Sequence, residues 1–243
     1  MMTKKLIANL KMNMQIEDVK GYIKKVENFC YGNVDIIICP SYVHIPFFAN
    51  KQFSLGSQNV SVHTKGAYTS EVSASQLKEL GVKYSIIGHS ECRAHFNETN
   101  DIINTKIKNC FIDRIIPIVC IGEGKQDKLL GKTEQVLRRE ILDIFKNLNR
   151  EDLDNLIIAY EPVWAIGSGT MPSPKEIEKT IDFIKNLFYS AYKINVDVVY
   201  GGSINSKNII DLENIPNCDG FLIGNSAGNI DELIKIISIL SNS

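Results

Sequence analysis

The stretch LIIAYEPVWAIGSGT, Leu156 to Thr170, decides the fold. Its first five residues, Leu156–Tyr160, form an apolar run that reads as a buried strand, and the run stops at a carboxylate, Glu161. Pro162 follows at once, then the chain's single tryptophan, Trp164, then Gly167-Ser168-Gly169. A charge at the end of a buried strand is costly unless it is paired. The stretch therefore predicts a strand that delivers an acid to a site, with a stiff hinge and a glycine-rich loop behind it.

Runs of the same kind recur on both sides. They are Leu6–Leu10, Val34–Cys39, Phe53–Gln58, Tyr84–Gly88, Ile115–Ile121, Val196–Tyr200 and Gly220–Ile223, with Phe53–Gln58 the least apolar. Unbroken apolar runs, unlike alternating ones, indicate strands covered on both faces, hence a parallel sheet. Between them lie polar segments with apolar residues at helical spacing, such as Glu134–Phe145 and Glu176–Leu187. Eight strands alternating with helices predict an α/β protein, either a closed (β/α)8 barrel or an open doubly wound sheet. The dinucleotide fingerprint of the open sheet is absent from the first strand–helix turn. A barrel instead demands that chemistry follow the C-terminal ends of the strands. Asn9 and Lys11 follow the first run, His89, Ser90 and Glu91 the fourth, Gly122 and Glu123 the fifth, and Glu161 the sixth. Gly201–Ser203 and Gly224–Ser226 follow the last two. The barrel is the expected fold. No linker or shift of composition divides residues 1–243, so one domain is expected.

The bulk numbers exclude several function classes. The 243 residues carry a formal net charge of −1, with 44% hydrophobic and 23% charged residues. That balance predicts no nucleic-acid footprint and no anionic membrane surface as partner. No apolar run is long enough to span a bilayer, and no signal-peptide core opens the chain. The six cysteines, Cys30, Cys39, Cys92, Cys110, Cys120 and Cys218, form no CxxC pair and read as reduced core thiols. A cytoplasmic protein is expected. No cluster has metal-ligand spacing.

The strand-end residues suggest a chemistry. Glu161 is a candidate base, His89 an acid, base or electrophile, and Lys11 a cation for an anionic substrate. His44, His63 and His95 lack such a setting and read as surface or packing residues. Two glycine-bearing turns after the seventh and eighth strands, where such barrels usually bind phosphate, predict a backbone anion cradle. Proton abstraction beside a carbonyl in a small phosphorylated substrate fits the set.

The motifs ANLKMN (Asn9, Lys11), GHSE (His89, Ser90, Glu91), CIGE (Cys120 to Glu123), AYEPVWAIGSG (Glu161 onward) and YGGS (Tyr200 to Ser203) occur in this order along nearly the whole chain. Jointly they resemble the triosephosphate isomerase family, which implies a TIM barrel. The resemblance implies interconversion of dihydroxyacetone phosphate and D-glyceraldehyde 3-phosphate through an enediol(ate), a step of glycolysis and gluconeogenesis, with no cofactor and no metal. Glu161, His89, Lys11 and Asn9 would be catalytic. Asn9, Lys11, Gly167, Ser203, Gly224 and Asn225 would bind the phosphorylated triose. Residues 162–172, Pro162, Val163, Trp164, Ala165, Ile166, Gly167, Ser168, Gly169, Thr170, Met171 and Pro172, would form a lid. Ser90, Glu91, Cys120, Glu123 and Tyr200 would support the site, with Glu123 the partner of Trp164. Residues 58–73 would be the loop of a homodimer, with Thr69 reaching the partner's site and Glu71 on the dimer side.

Three positions depart from the family pattern. Pro172 stands where a lid N–H would bond Tyr200, and proline has none. That moves the expected latch to the Ser203 hydroxyl, bonded to a lid N–H near Gly169. Asn225 replaces a glycine of the eighth turn and would tolerate a positive φ. Cys92 replaces an arginine that would pair with Glu71. Two other readings compete: a different sugar-phosphate isomerase barrel, which would lack GHSE and the EPVW lid, and a catalytically silent barrel, against which the four intact polar groups argue.

Overall fold

Backbone polar groups in a sheet covered on both faces can be satisfied only by neighbouring strands, and a closed ring leaves no edge. The computed structural model, which describes residues 3–241, closes such a ring. The strands are β1 Lys4–Asn9, β2 Val34–Cys39, β3 Ser54–Ser57, β4 Tyr84–Ile87, β5 Ile116–Ile121, β6 Ile157–Tyr160, β7 Asp197–Gly201 and β8 Gly220–Ile223. Each pairs in parallel with the next, and β8 returns to β1, so that Leu6 lies opposite Ile36 on one side and Phe221 on the other.

Eleven α-helices connect and sheathe the strands among the described residues: α1 Ile16–Glu27, α2 Ile45–Phe48, α3 Ala74–Glu79, α4 Ser90–Phe96, α5 Asn100–Ile112, α6 Lys125–Leu129, α7 Thr133–Ile144, α8 Arg150–Leu153, α9 Pro174–Tyr192, α10 Ile209–Leu212 and α11 Ile230–Ser241. The period of two along each strand divides the core into shells. Ile7, Ile37, Ile86, Ile118, Ile157, Val199 and Leu222 point inward and fill the barrel. Leu6, Ala8, Ile36, Ile38, Ile87 and Val119 point outward and pack under the helices. Each fully buried Ile, Leu or Phe is worth roughly 1.5–3 kcal/mol, so the two shells hold the strand ends in place.

Helix α9 shows how sequence sets an element that matters below. Ser173 caps it, with its hydroxyl accepting from the Glu176 N–H (3.3 Å) while Glu176 Oε2 accepts from the Ser173 N–H (2.9 Å). Pro174 at the first position needs no donor partner. Ile177, Ile181, Ile184 and Phe188 recur at helical spacing and are buried.

The boundaries differ from the sequence reading in places. β1 starts two residues earlier, because Lys4 and Lys5 find partners at the lower rim: Lys4 Nζ donates to Cys218 O (2.6 Å) and Lys5 pairs with Asp197 (2.8 Å). β3 is shorter than Phe53–Gln58, since only two residues register with β2 and two with β4. α9 runs on to Tyr192, because Phe188 continues its apolar face. Cys30 is exposed and Cys92 half-buried, so only Cys39, Cys110, Cys120 and Cys218 are core thiols.

Candidate active site

The C-terminal ends of the strands bring the sequence candidates to one mouth. A cleft there is lined by Lys11, His89, Glu161, Ile166, Gly167, Gly202, Ser203, Ile204, Gly224 and Asn225. Asn9 does not line this cleft; it lines a neighbouring groove, and Lys11 and His89 line both.

Glu161 is 3% exposed and His89 4%. Glu161 Oε1 lies 3.5 Å from His89 Nε2, while Oε2 is buried and takes no hydrogen bond from any described residue. The main chain of Glu161 is fixed by its N–H bond to Ile121 O (2.8 Å). Gly122 makes that approach possible, because a methyl group at 122 would lie 1.8 Å from the Glu161 carbonyl oxygen. On the other flank Ser90, Cys120 and Val163 line a small crevice against Glu161.

His89 precedes α4 as its cap. The Glu91 N–H donates to His89 Nδ1 at 3.3 Å. A ring nitrogen that accepts a hydrogen bond offers no proton there, which leaves Nε2 as the nitrogen able to donate. Nε2–H is the nitrogen that faces Glu161.

Lys11 adopts a left-handed backbone, φ 52°. Such strain persists only where the surroundings over-determine it. Here the Lys11 N–H donates to Asn9 Oδ1 (3.0 Å), and the Lys11 carbonyl accepts from Ser41 Oγ (2.8 Å) and Gln58 Nε2 (2.9 Å). The ammonium pairs with Glu91 Oε1 at 2.5 Å. Burial alone would raise the Glu91 carboxyl. The Lys11 hydrogen bond and charge outweigh it and hold the group below the usual 4.5.

The segment 162–172 has buried ends and an exposed tip: Pro162, Ala165 and Pro172 are buried, whereas Gly167 to Thr170 are exposed. Its start is pinned to Glu123, which is fully buried. Trp164 Nε1 donates to Glu123 Oε1 (2.9 Å), Tyr160 OH donates to the same carboxylate (3.3 Å), and the Val163 N–H donates to Glu123 O (3.0 Å). Ser203 behaves otherwise than expected from sequence. Its hydroxyl donates to the Ala165 carbonyl (2.6 Å), because the first half of the segment, rather than the Gly169 tip, lies over the seventh turn. The Tyr200 hydroxyl is buried with no hydrogen-bond partner among the described residues. Asn208 Nδ2 instead reaches this end of the segment, donating to Ser203 O (3.0 Å) and to Met171 Sδ (3.4 Å).

The remaining candidates are placed as follows. Asn225 is exposed and opens a short 3-10 turn over residues 225–228, without the positive φ that its replacement of glycine suggested. Cys92 faces Asn59 (Nδ2 to Sγ, 3.7 Å) beside a buried Glu98–Lys106 ion pair. Thr69 and Glu71 lie on an exposed loop, and His63 within it stacks on Tyr68 at 3.4 Å. His44 is buried packing.

Sequence reasoning missed Ser41, Gln58 and Arg93. The Arg93 guanidinium donates to Gly88 O (2.9 Å), Cys120 O (3.2 Å) and Asn100 Oδ1 (2.9 Å), tying the ends of β4 and β5 together behind the site. Glu140 Oε2 accepts from the Gly122 N–H (2.9 Å) in the same layer. No motif announces these residues, since most of their partners are backbone carbonyls, which any residue can supply. No cluster of three or more His, Cys, Asp or Glu placed to share an ion occurs among the described residues. No helix among them is long and apolar enough to cross a membrane.

Fold and mouth together define a barrel enzyme whose cleft combines a carboxylate, an imidazole and a lysine, the equipment of proton-transfer chemistry. Comparison with known proteins narrows the class. A sequence model of the triosephosphate isomerase family matches residues 4–240. Triosephosphate isomerases of Buchnera aphidicola subsp. Cinara cedri and of Buchnera aphidicola subsp. Baizongia pistaciae are each 36% identical, over 96% and 98% of this chain and 97% and 99% of theirs. That of Blochmanniella floridana is 37% identical over 98% of this chain and 92% of its own. The chain belongs to the triosephosphate isomerase family, whose members interconvert dihydroxyacetone phosphate and D-glyceraldehyde 3-phosphate in glycolysis.

Proposed function

We propose that Glu161, His89, Lys11 and Asn9 carry this isomerisation. Glu161 takes a proton from one carbon of the triose and returns it to the neighbouring one. His89 donates from Nε2 to the carbonyl oxygen that becomes the enediolate, and passes protons between the two oxygens. A neutral imidazole suits that task, because proton transfer is most efficient between groups of matched acidity. Lys11 and Asn9 stabilise the developing negative charge. The observation that carries this reading is the pair of contacts on His89: Nδ1 accepts from the Glu91 N–H, while Nε2 lies 3.5 Å from Glu161 Oε1. The phosphate is held by N–H groups at Gly167, Ser203, Gly224 and Asn225, all of which line the cleft.

Residues 162–172 serve as a lid. Buried ends and an exposed tip support hinged closure that expels water and strengthens the electrostatics within. Closure also protects the enediolate, which in water could lose phosphate. The enzyme works as a homodimer in the cytoplasm. Supporting the dimer, the groove beside the cleft exposes Met12 and Phe96, at 92% and 72%, and a second copy's exposed loop, with Thr69 at its tip, fits such a groove.

A coupled assay tests the reaction: glyceraldehyde 3-phosphate is supplied, and a dehydrogenase consumes the dihydroxyacetone phosphate formed. Glu161→Asp withdraws the carboxylate by about one methylene, and about 1 Å of misplacement costs roughly 10²-fold in kcat. A folded Glu161→Asp enzyme with unaltered kcat would remove Glu161 from the role of base.

A further inference from the structure

Behind the lid, one cation that no motif singles out touches the start of the lid and the first turn of the helix that follows it. Lys128 lies on α6, five residues beyond Glu123. Its ammonium stands 5.5 Å from the centroid of the Trp164 ring, at the start of the lid. The same ammonium pairs with Glu176 Oε1 at 2.9 Å. Glu176 closes the capping box of α9 with Ser173, at the start of the helix into which the lid runs after Pro172. The two carboxylate oxygens divide the work: Oε1 meets Lys128, while Oε2 accepts from the Ser173 N–H (2.9 Å) and hydroxyl (2.8 Å).

We propose that Lys128 is a positioning residue for the isomerisation, a strap that couples the two hinges of the lid through Trp164 and Glu176. The inference rests on the isomerase reading and deepens it. A cation over an indole face is attracted by the ring's negative centre, and this attraction fixes the plane of the ring. The Trp164 Nε1 bond to Glu123 fixes one edge of the same ring. The first hinge is thereby set in orientation. Through Glu176 the same charge stiffens the cap that begins α9, and so the anchor of the second hinge. Pro172 offers no N–H there; near that hinge stand the cap, the Asn208 contact to Met171 and the Thr170 N–H bond to Ser168 Oγ (3.2 Å). The strap acts on the lid and not on substrate, so its loss slows the reaction without abolishing it.

The test uses the full chain in three variants. Lys128→Met keeps the apolar stem and removes the charge. Lys128→Arg keeps the charge and the ability to stack. Glu176→Gln keeps an acceptor for the Ser173 N–H and removes the ion pair. Each contact is partly solvent-exposed and individually modest, so Lys128→Met is expected to lower kcat/KM about threefold to tenfold. Arginine should restore it to within about twofold of wild type, because its guanidinium stacks on aromatic faces and pairs with carboxylates. Glu176→Gln should act in the same direction, and the double variant should be no worse than the worse single one, as coupled residues require. Trp164 is the chain's only tryptophan, so its fluorescence reports the first hinge directly. Lys128→Met should shift its emission and make it more accessible to acrylamide, and Glu176→Gln should do so less. Wild-type kinetics and wild-type emission in Lys128→Met would overturn the proposal. Equal losses in Lys128→Arg and Lys128→Met, or fully additive losses in the double variant, would do the same. If Lys128→Met fails to fold, Lys128→Arg, Glu176→Gln and their fluorescence still decide. An inactive wild-type enzyme would sink the isomerase reading instead, with the emission arm still deciding on the strap.

Discussion

Gly201→Ala should damage catalysis while sparing the fold. Gly201 ends β7, and a methyl group there would stand 2.8 Å from Glu161 Cγ and 3.0 Å from Glu161 Oε1. Comfortable contact between carbon atoms begins near 3.5 Å, so the Glu161 side chain must retreat by roughly 0.7 Å. It cannot yield along its backbone, which is tied to Ile121 O and packed against Gly122. The shift therefore falls on the carboxylate. A misplacement of about 1 Å at a reacting group costs about 10²-fold, which puts the expected loss in kcat between about 10-fold and 100-fold, or roughly 1.4–2.7 kcal/mol. Overpacking of this kind also lowers stability by about 1–3 kcal/mol, so kinetics belong well below the melting temperature. Gly21→Ala is the control: Gly21 lies inside α1 with nothing within 4 Å of an added methyl, and alanine there should stabilise by about 0.5–1 kcal/mol and leave kcat alone. Circular dichroism, thermal unfolding and the coupled assay on both variants suffice. A folded Gly201→Ala enzyme with kcat within twofold of wild type would refute the placement of Glu161 as the positioned base.

Other outcomes follow from the same contacts. Ser203→Ala removes the hydroxyl bond to Ala165 and should cost at least tenfold in kcat/KM, about 1.4 kcal/mol. Tyr200→Phe, which removes a hydroxyl with no partner among the described residues, should change it less than about threefold; a larger loss would show that the tyrosine gains a donor on closure. Cys92→Arg places a guanidinium beside Glu98, whose Oε2 is buried without a hydrogen-bond partner among the described residues; in the proposed dimer, sedimentation over a dilution series should show tighter association, and weaker association would mean that the pocket is rebuilt around cysteine. Glu176, held down to about 2 by the Ser173 N–H and by Lys128, contributes stability that is present above its usual 4.5 and is lost as pH falls from there through about 2. Unfolding of Glu176→Gln should accordingly depend less on pH across that window, and an identical acid limb would count against the cap.

Much of this was legible before any coordinates. Unbroken apolar runs forced a parallel sheet, and carboxylate, imidazole and lysine each stood just past the end of one, where a barrel collects such residues. What could not be read were interactions defined by geometry across the chain. Gln58 and Ser41 support Lys11 through its carbonyl, 47 and 30 residues away. Arg93 supports the site through the carbonyls of Gly88 and Cys120. Any residue can supply a carbonyl, so the sequence marks neither end of such a bond. Short strands fail for a similar reason: β3 is defined by which residues register with its neighbours and not by its own apolarity. The Ser203 expectation failed because spacing along a loop does not say which half of it lies over the neighbouring turn.

The departures from the family pattern gain sense when the lid is considered by its two ends. Pro172 removes a donor at the second hinge of the proposed lid, and the Tyr200 hydroxyl is buried with no hydrogen-bond partner among the described residues. At the first hinge the bonds are dense: three donors, Trp164 Nε1, Tyr160 OH and the Val163 N–H, converge on Glu123, and Ser203 holds the Ala165 carbonyl. Proline at the second hinge also narrows the conformations open to the unclosed loop, which lowers the entropy lost on closure. The two effects have opposite signs and similar size, about 0.5–1.5 kcal/mol for one neutral hydrogen bond against about 0.4–1 kcal/mol for one proline. A lid tied firmly at its start and stiffened at its end can therefore close about as readily as one latched through a backbone N–H. In this chain the rate should then be more sensitive to Ser203, Trp164 and Glu123 than to Tyr200.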